Sequence, residues 1–170
     1  MNLEQYIRDI PDFPKQGVVF KDITPLLLDA QAAQWATQQL LELIGPRKID
    51  KVVGMESRGF FFGTIIAHQL GAGFVPVRKP GKLPFDKISQ EYALEYGSDI
   101  LEMHADAIIP GENVLIHDDV LATGGTAEAV CKMVESLGGN IVQVNFLMEL
   151  TFLNGRDKLK NQEVRSLLKY

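Results

Sequence analysis

The chain has 170 residues, one cysteine and a formal net charge of −5; 46% of its residues are hydrophobic and 23% are charged. This length and composition predict one domain with its own core and exclude an internal disulfide framework or a largely disordered chain. The acidic balance disfavours general binding to nucleic acid or to an anionic membrane. No apolar run reaches the ~20 residues of a bilayer span, and the first residues lack a secretory signal pattern, so we expect a cytoplasmic protein.

The first half of the chain predicts a helix followed by a strand–helix–strand unit. The helix has apolar residues on one face and is bounded by Asp29 and by Gly45. In chain order the predicted helix, strand, helix and strand cover 30–44, 51–55, 60–70 and 74–78. Such a unit places its two strands parallel, with a right-handed crossover between them.

The second half predicts another such unit, preceded by a hairpin. The strand, loop, helix and strand of this unit cover 114–117, 118–126, 127–137 and 141–148. Before it, alternating apolar residues over 92–96 and the pair Gly97-Ser98 predict an antiparallel hairpin. The sequence therefore predicts a single-domain α/β fold with a parallel sheet and a hairpin insert. Ligands of such sheets bind beyond the carboxyl ends of the strands, which is where loops 56–59 and 118–126 fall.

The loop 118–126 carries the sharpest chemical signal. Two carboxylates, Asp118 and Asp119, end an apolar strand, and Ala-Thr-Gly-Gly-Thr leads into a helix. Glycines let the backbone approach a ligand, and free N–H groups at a helix start bind phosphate. Ribose hydroxyls that donate to the carboxylates would fit beside a 5-phosphate on this loop. The alternative is a helix-capping turn with solvated aspartates.

A second signal is a cationic segment over 78–87. It holds four basic residues and one acidic residue in a chain that is acidic overall, and its prolines and glycine argue against regular structure. Arg58 is expected at the same edge of the sheet. The segment predicts a polyphosphate site, with a solvated surface run as the alternative.

Residues 114–127 resemble the phosphoribosyl-pyrophosphate signature of the type I phosphoribosyltransferases. Further segments look like the adenine-specific branch of that family, and they lie at 12–14, 17–24, 56–60, 78–84, 94–97 and 166–170. The resemblance covers nearly the whole chain as one phosphoribosyltransferase domain, 1–170. It implies a homodimeric purine salvage enzyme that converts adenine and phosphoribosyl pyrophosphate to AMP and pyrophosphate with Mg²⁺.

The resemblance also implies residue roles. The 5-phosphate would be bound by Ala122, Thr123, Gly124, Gly125 and Thr126. Pyrophosphate would be bound by Ser57, Arg58, Arg78, Lys79 and Lys82, with a basic group of a partner subunit as an open addition. Adenine would contact backbone groups of Val19, Phe20 and Lys21, and Val120 would lie against its face. Magnesium is expected mainly on substrate oxygens.

The catalytic residues implied by the resemblance are Asp118 and Asp119, which would bind the ribose hydroxyls, and Glu95, which would share a proton with the base. Glu95 and Tyr96 would belong to a hood over about 82–96 that is mobile in the free protein. A cis peptide bond is expected between Glu56 and Ser57.

Two alternatives remain open from the residues alone. The first is transfer to hypoxanthine, guanine or orotate, because spacing does not define the base. The second is a phosphoribosyl-pyrophosphate-sensing regulator that binds nucleic acid, against which the acidic balance argues. Lys21 stands where many relatives have arginine, and His117, where an apolar residue is usual, is interpreted as structural.

Overall fold

In the computed structural model, which describes residues 1–93 and 97–170, strands and helices alternate along most of the chain. The strands are β1 (Arg8–Ile10), β2 (Phe20–Asp22), β3 (Lys51–Met55), β4 (Gly73–Val77), β5 (Lys87–Ala93), β6 (Ser98–His104), β7 (Asn113–Leu121), β8 (Asn140–Glu149) and β9 (Val164–Lys169). The α-helices are α1 (Thr24–Leu28), α2 (Ala30–Ile44), α3 (Gly59–Leu70) and α4 (Gly125–Ser136). Short 3₁₀ turns cover Leu3–Tyr6, Thr151–Leu153 and Gly155–Leu159.

The central sheet has five parallel strands in the order β4-β3-β7-β8-β9. Helix α3 connects β3 to β4 and helix α4 connects β7 to β8, as the two predicted units require. The prediction of an α/β fold with a parallel sheet is confirmed. All four carboxyl ends of β3, β4, β7 and β8 meet at one edge, so the loops that follow them are neighbours.

Alternating side chains of the strands fill one core on each face of the sheet. Val52 and Leu115 pack with α2 and α3, whereas Val53 and Ile116 pack with α4 and the β5–β6 hairpin. Helix α2 begins at Ala30 as predicted, and the carboxylate of the preceding Asp29 accepts hydrogen bonds from two backbone N–H groups at 3.0 and 2.9 Å. Among the residues of 1–93 and 97–170, no helix is long and apolar enough to cross a membrane.

Strand β7 corrects the prediction that the strand ends at His117 and that 118–126 is a loop. The strand continues through both aspartates to Leu121, because β8 offers it a partner along that length. Asp118 lies opposite Phe146 and Leu121 lies opposite Glu149. Backbone pairing outweighs the low strand propensity of aspartate. The loop before α4 is thereby reduced to residues 122–124.

The predicted hairpin is present with other bounds: Ser98 of the predicted turn begins β6, β5 extends back to Lys87, and residues 94–96 of the predicted first strand lie outside the described residues. Strands β5 and β6 pair from Lys87 opposite His104 to Ala93 opposite Ser98. Ile88 and Tyr92 pack against the core on the α4 side of the sheet. Residues 87–93, which belong to the predicted hood, thus form a paired strand with core contacts. The pair β1–β2 and the edge strand β9 were not predicted, since their sequences are short and lack a clear alternation.

Candidate active site

The turn between β7 and α4 forms a small pocket of about 70 Å³. Gly124 occupies it with a φ of +79°, a left-handed conformation that disfavours any side chain. Helix α4 begins at the next residue, and the backbone N–H groups of its first turn have no partner within the helix, so they are free at the end that borders the pocket. The pocket is lined by Asp118, Val120, Leu121, Ala122, Thr123, Gly124, Gly125, Thr126, Ala127 and Phe146. All five residues predicted to bind the 5-phosphate thus line one pocket at a helix start.

A larger cleft of about 370 Å³ lies beside that pocket. It is lined by Phe20, Glu56, Ser57, Arg58, Lys79, Tyr92, Leu101, Asp118, Asp119 and Thr126. Asp118 and Thr126 line both spaces. The fold therefore brings the predicted ribose carboxylates next to three of the predicted pyrophosphate residues, Ser57, Arg58 and Lys79.

The two aspartates differ in exposure and in partners. Asp119 is only 3% exposed, while Asp118 keeps partial exposure in the cleft. Arg58 Nε lies 2.9 Å from Asp119 Oδ2, and the Asp119 N–H donates to Asp118 Oδ1 at 2.9 Å. Burial raises the pKa of Asp118, and the neighbouring Asp119 carboxylate raises that pKa further. Burial also raises the pKa of Asp119, against the opposing charge of Arg58. Hydroxyl donors at this site would relieve an unfavourable concentration of negative charge.

The Glu56 carboxylate binds three residues of the cationic segment that follows β4. It accepts a hydrogen bond from Lys79 N–H at 2.9 Å and one from Arg78 Nε at 3.2 Å, and it forms an ion pair with Lys82. Burial disfavours the ionised form of Glu56, but these donors outweigh it and lower the pKa to about 2. Arg78 and Lys82 are not among the residues that line the cleft; their charged ends meet Glu56 at its wall.

Further carboxylates neutralise the rest of the cationic segment. Lys79 forms an ion pair with Asp99 and donates to the Tyr92 hydroxyl at 3.2 Å. Glu102 accepts from Gly81 N–H at 3.0 Å and lies 3.1 Å from Lys87 Nζ. Among the described residues, the cations of the segment 78–87 are thus paired with carboxylates of other elements.

The loop between β3 and α3 has the backbone expected of it. The peptide bond between Glu56 and Ser57 is cis, so that prediction is confirmed. Helix α3 then begins at Gly59, where a Cβ would lie 2.7 Å from Asp118 Oδ1. Glycine at this position lets the start of α3 approach the aspartate strand and narrows the cleft.

The segment predicted to contact adenine runs into β2. Phe20 lines the cleft, with the Arg58 guanidinium 4.7 Å from the centre of its ring, and Val19 is 50% exposed. Lys21 turns elsewhere: its Nζ lies 2.6 Å from Asp9 Oδ1 and 3.9 Å from the centre of the Tyr170 ring. The Lys21 side chain thus has structural partners, and only its backbone faces the Arg58 side of the site through a carbonyl that accepts from Arg58 at 3.4 Å.

Four further positions singled out in the sequence are Val120, Glu95, Tyr96 and His117. Val120 is partly buried in β7 and lines the pocket before α4. Glu95 and Tyr96 lie outside the described residues. His117 is fully buried, its Nδ1 lies 2.7 Å from Asn145 Oδ1, and burial lowers its pKa to about 4. A neutral, enclosed imidazole agrees with the structural interpretation of His117.

Sequence reasoning missed two features of the site. The ion pairs of Glu56 were not predicted, although a carboxylate at the same sheet edge as a cationic segment is a signal for pairing. Gly155, whose backbone contacts the 122–124 loop, was not considered at all. The pair Asn154-Gly155 is a typical turn dipeptide and would have indicated a tight turn there.

Comparison with known proteins defines the class first. Residues 23–165 match the family model of the phosphoribosyl transferase domain. The parallel sheet, the carboxylate pair and the turn before α4 are the parts of the chain that this match spans. The protein is thus a transferase built on a phosphoribosyltransferase domain.

Full-length relatives then narrow the class. The adenine phosphoribosyltransferase of Flavobacterium johnsoniae is 65% identical over 170 residues, which is all of both chains. The solved structure of the Thermoanaerobacter pseudethanolicus adenine phosphoribosyltransferase is 53% identical with a TM-score of 0.97, over 99% of this chain and all of that one. The Saccharomyces cerevisiae structure, 45% identical with a TM-score of 0.91, covers 96% of this chain and 95% of its own. The chain belongs to the adenine phosphoribosyltransferase family.

Proposed function

We propose that the protein transfers the 5-phosphoribosyl group from phosphoribosyl pyrophosphate to adenine, giving AMP and pyrophosphate in purine salvage. One observation carries the proposal: the pocket before α4 and the larger cleft share Asp118 and Thr126. A ribose that bears a phosphate at one end and pyrophosphate at the other spans two such neighbouring sites. The family membership supports the same reaction.

The reaction needs charge stabilisation and positioning rather than a protein nucleophile. As pyrophosphate leaves C1 of the ribose, the sugar becomes cationic and the leaving group gains negative charge. Asp118 and Asp119 supply negative potential beside the sugar, while Arg58 and Lys79 are the cations that line the pyrophosphate side. Two substrates held in place within a narrow cleft supply the proximity that such a transfer requires.

For pyrophosphate binding, the cations must exchange partners. Arg58 is paired with Asp119, and Lys79 is paired with Asp99. These ion pairs hold the two cations at the cleft before the substrate enters. Pyrophosphate oxygens would then replace part of the carboxylate contacts. Ser57, Arg78 and Lys82 complete the proposed set, with the last two held near the cleft by Glu56.

Adenine is the base we assign to the cleft. The solved S. cerevisiae relative is a complex with adenine and an imino-altritol bisphosphate. In this chain the Phe20 ring lines the cleft and offers a flat apolar surface. We assign base recognition to backbone groups of Val19, Phe20 and Lys21, with Val120 at the face of the base.

Magnesium belongs to the proposal as a substrate-borne ion. Mg²⁺ keeps much of its hydration and is commonly bound through substrate phosphates and one or two carboxylates. Among the described residues no group of three His, Cys, Asp or Glu side chains is placed to hold a metal, whereas Asp118 is partly exposed in the cleft. This donor set fits an ion held mainly by pyrophosphate and ribose oxygens. When bound, it would neutralise charge on the leaving group.

Glu95 is proposed as the proton-handling residue and Tyr96 as part of the hood, both from the family resemblance. If Glu95 shares a proton with the imidazole edge of adenine, Glu95→Gln should lower kcat by about 10²-fold or more. The KM for phosphoribosyl pyrophosphate should change little, because that substrate is held by other residues. Steady-state kinetics of the variant test this, and a wild-type kcat would contradict it.

A homodimer and a cytoplasmic location complete the proposal. Phe61 and Ile65 lie one turn apart on α3 and are 46% and 41% exposed, which suits coverage by a second copy. The single cysteine, Cys131, is free and buried, as is usual in a reducing compartment. Light scattering of the purified protein measures the mass, and a monomeric mass would contradict the dimer.

The deciding experiment measures pyrophosphate release with each base in turn. Adenine should give turnover that depends on Mg²⁺, and hypoxanthine, guanine and orotate should give little. Preference for another base would contradict the assigned substrate. Binding of phosphoribosyl pyrophosphate without turnover of any base would contradict the proposal that the protein is an enzyme.

A further inference from the structure

The turn between β8 and β9 lies directly against the loop 122–124. Gly124 and Gly155 face one another across this contact. A Cβ on Gly124 would lie 2.3 Å from the Gly155 carbonyl oxygen, and a Cβ on Gly155 would lie 2.2 Å from the Ala122 carbonyl oxygen. Neither distance is sterically possible, so the two backbones touch only because both residues are glycine.

The local chain path creates this contact. Asn154 adopts the left-handed conformation, with φ 51° and ψ 33°, which asparagine tolerates better than most residues. Before it, Leu150 N–H donates to the Leu121 carbonyl oxygen at 2.9 Å. After it, Leu159 is 2% exposed and packs in the core beneath α4. The segment 151–159 is thus fixed at both ends against the strand and helix that flank the loop.

An ion pair between the partly exposed Arg156 and the buried Glu149 secures the middle of the segment. Arg156 Nε and Nη2 each donate to a carboxylate oxygen of Glu149 at 2.7 Å, and Nη1 donates to the Val164 carbonyl oxygen at 2.9 Å. Ser166 adds a hydroxyl bond to Glu149 at 2.6 Å. Glu149 lies opposite Leu121, which is the last residue of β7 before the loop 122–124. The Glu149 side chain is 5% exposed and that of Arg156 is 41% exposed, and the two parallel bonds between them orient the planar guanidinium.

We propose that the segment 151–159 positions the 5-phosphate loop, with Gly155 and Arg156 as its positioning residues. The proposal rests on the proposed function, which assigns the 5-phosphate to residues 122–126. Neither residue lines the pocket; each acts through the backbone of 121–124. Because pyrophosphate would bind at a different loop, loss of this support should weaken binding of a 5-phosphate and spare binding of pyrophosphate.

The first test is Gly155→Ala. The added methyl group must push the Ala122 carbonyl away, which displaces the loop. AMP affinity, measured by calorimetry, should fall at least about tenfold, while pyrophosphate affinity should stay within about twofold. Gly139→Ala is the matched control, because its Cβ would press on the Val134 side chain at 2.9 Å, at the opposite edge of the sheet. The control should keep the AMP affinity.

The second test removes the ion pair without adding bulk. Arg156→Ala should weaken AMP selectively in the same way, and Arg156→Lys should recover only part of the affinity, since lysine lacks the planar fork. Arg47→Ala is the control: Arg47 forms a comparable pair with Glu163, at 2.8 and 3.3 Å, far from the loop. It should leave AMP binding unchanged.

The outcomes separate the two proposals. Wild-type AMP affinity in folded Gly155→Ala or in folded Arg156→Ala would overturn the positioning role. Equal losses of AMP and pyrophosphate affinity, in step with a lower melting temperature, would also overturn it, since they indicate a purely structural effect. If the wild-type protein itself binds neither AMP nor phosphoribosyl pyrophosphate, the proposed function fails instead.

Discussion

At the residue scale, the site contains two neighbouring carboxylates, Asp118 and Asp119, whose ionised forms are disfavoured by burial. Asp118 and Asp119 are consecutive and largely buried, and among residues 1–93 and 97–170 a cation, Arg58, lies within ion-pair distance of Asp119 but not of Asp118. Burial raises the pKa of both groups. A protein retains such a pair where a ligand supplies donors, since unsolvated charge otherwise destabilises the fold.

This arrangement predicts the effect of neutralising each carboxylate. Asp118→Asn and Asp119→Asn should each lower kcat/KM at least about tenfold, because a charge-assisted contact to ribose is worth ~1.5–3 kcal/mol. Asp106→Asn, at an exposed aspartate after β6, is the control and should be neutral. Wild-type kcat/KM in both site variants would show that neither carboxylate contributes to the reaction. Thermal melts check that Asp118→Asn stays folded.

At the element scale, carboxylates from other parts of the chain shape the segment after β4. Glu56 precedes α3 and Glu102 belongs to β6, and each accepts one backbone N–H of the segment: Lys79 at 2.9 Å and Gly81 at 3.0 Å. The segment is therefore tied to two elements that are distant in sequence. That attachment orders a proline- and glycine-rich stretch without any regular structure of its own.

The two ties predict a reciprocal pattern of amide exchange. Glu56→Ala should speed exchange at Lys79 by about tenfold and leave Gly81 nearly unchanged, because loss of one buried hydrogen bond costs ~1 kcal/mol or more. Glu102→Ala should do the reverse, so each variant is the control for the other. Site-resolved hydrogen exchange measured by NMR checks this. Equal acceleration at both amides in either variant would show that the segment opens as one unit.

At the scale of the whole molecule, the buried pair His117–Asn145 links stability to pH. Burial lowers the pKa of His117 from its usual 6.5 to about 4. Between these values the unfolded chain binds a proton that the folded chain does not, so stability falls as the pH drops below about 6.5. The loss is complete near pH 4.

The expected size of this effect is measurable by urea unfolding. Between pH 7 and pH 5 the free energy of unfolding should fall by about 2 kcal/mol through His117 alone. His117→Gln should be less stable at pH 7 and should lose most of this pH dependence. His68→Gln, at an exposed histidine of α3, is the control and should behave as the wild type does. An unchanged slope in His117→Gln would contradict the assignment.

The periodic patterns and the small-residue turn of the sequence are local signals, and they determined most of the architecture. Apolar periodicity located α2, β3 and α3 to within about a residue, because those elements are long or uniformly buried. The order of strands and helices fixed the parallel units, and the turn before α4 indicated the place where we propose that phosphate binds. The family resemblance supplied the cis bond after Glu56, which composition cannot indicate.

Contacts between distant segments were decided only by the tertiary structure. Strand β7 extends through Asp118 and Asp119 because β8 pairs with it, and the cationic segment is neutralised because Glu56 and Glu102 meet it in space. Gly155 contacts the loop 122–124 although it lies 31 positions after Gly124 in the sequence. Local sequence propensities do not predict these contacts, since each contact depends on where the sheet places a segment that is distant in the sequence.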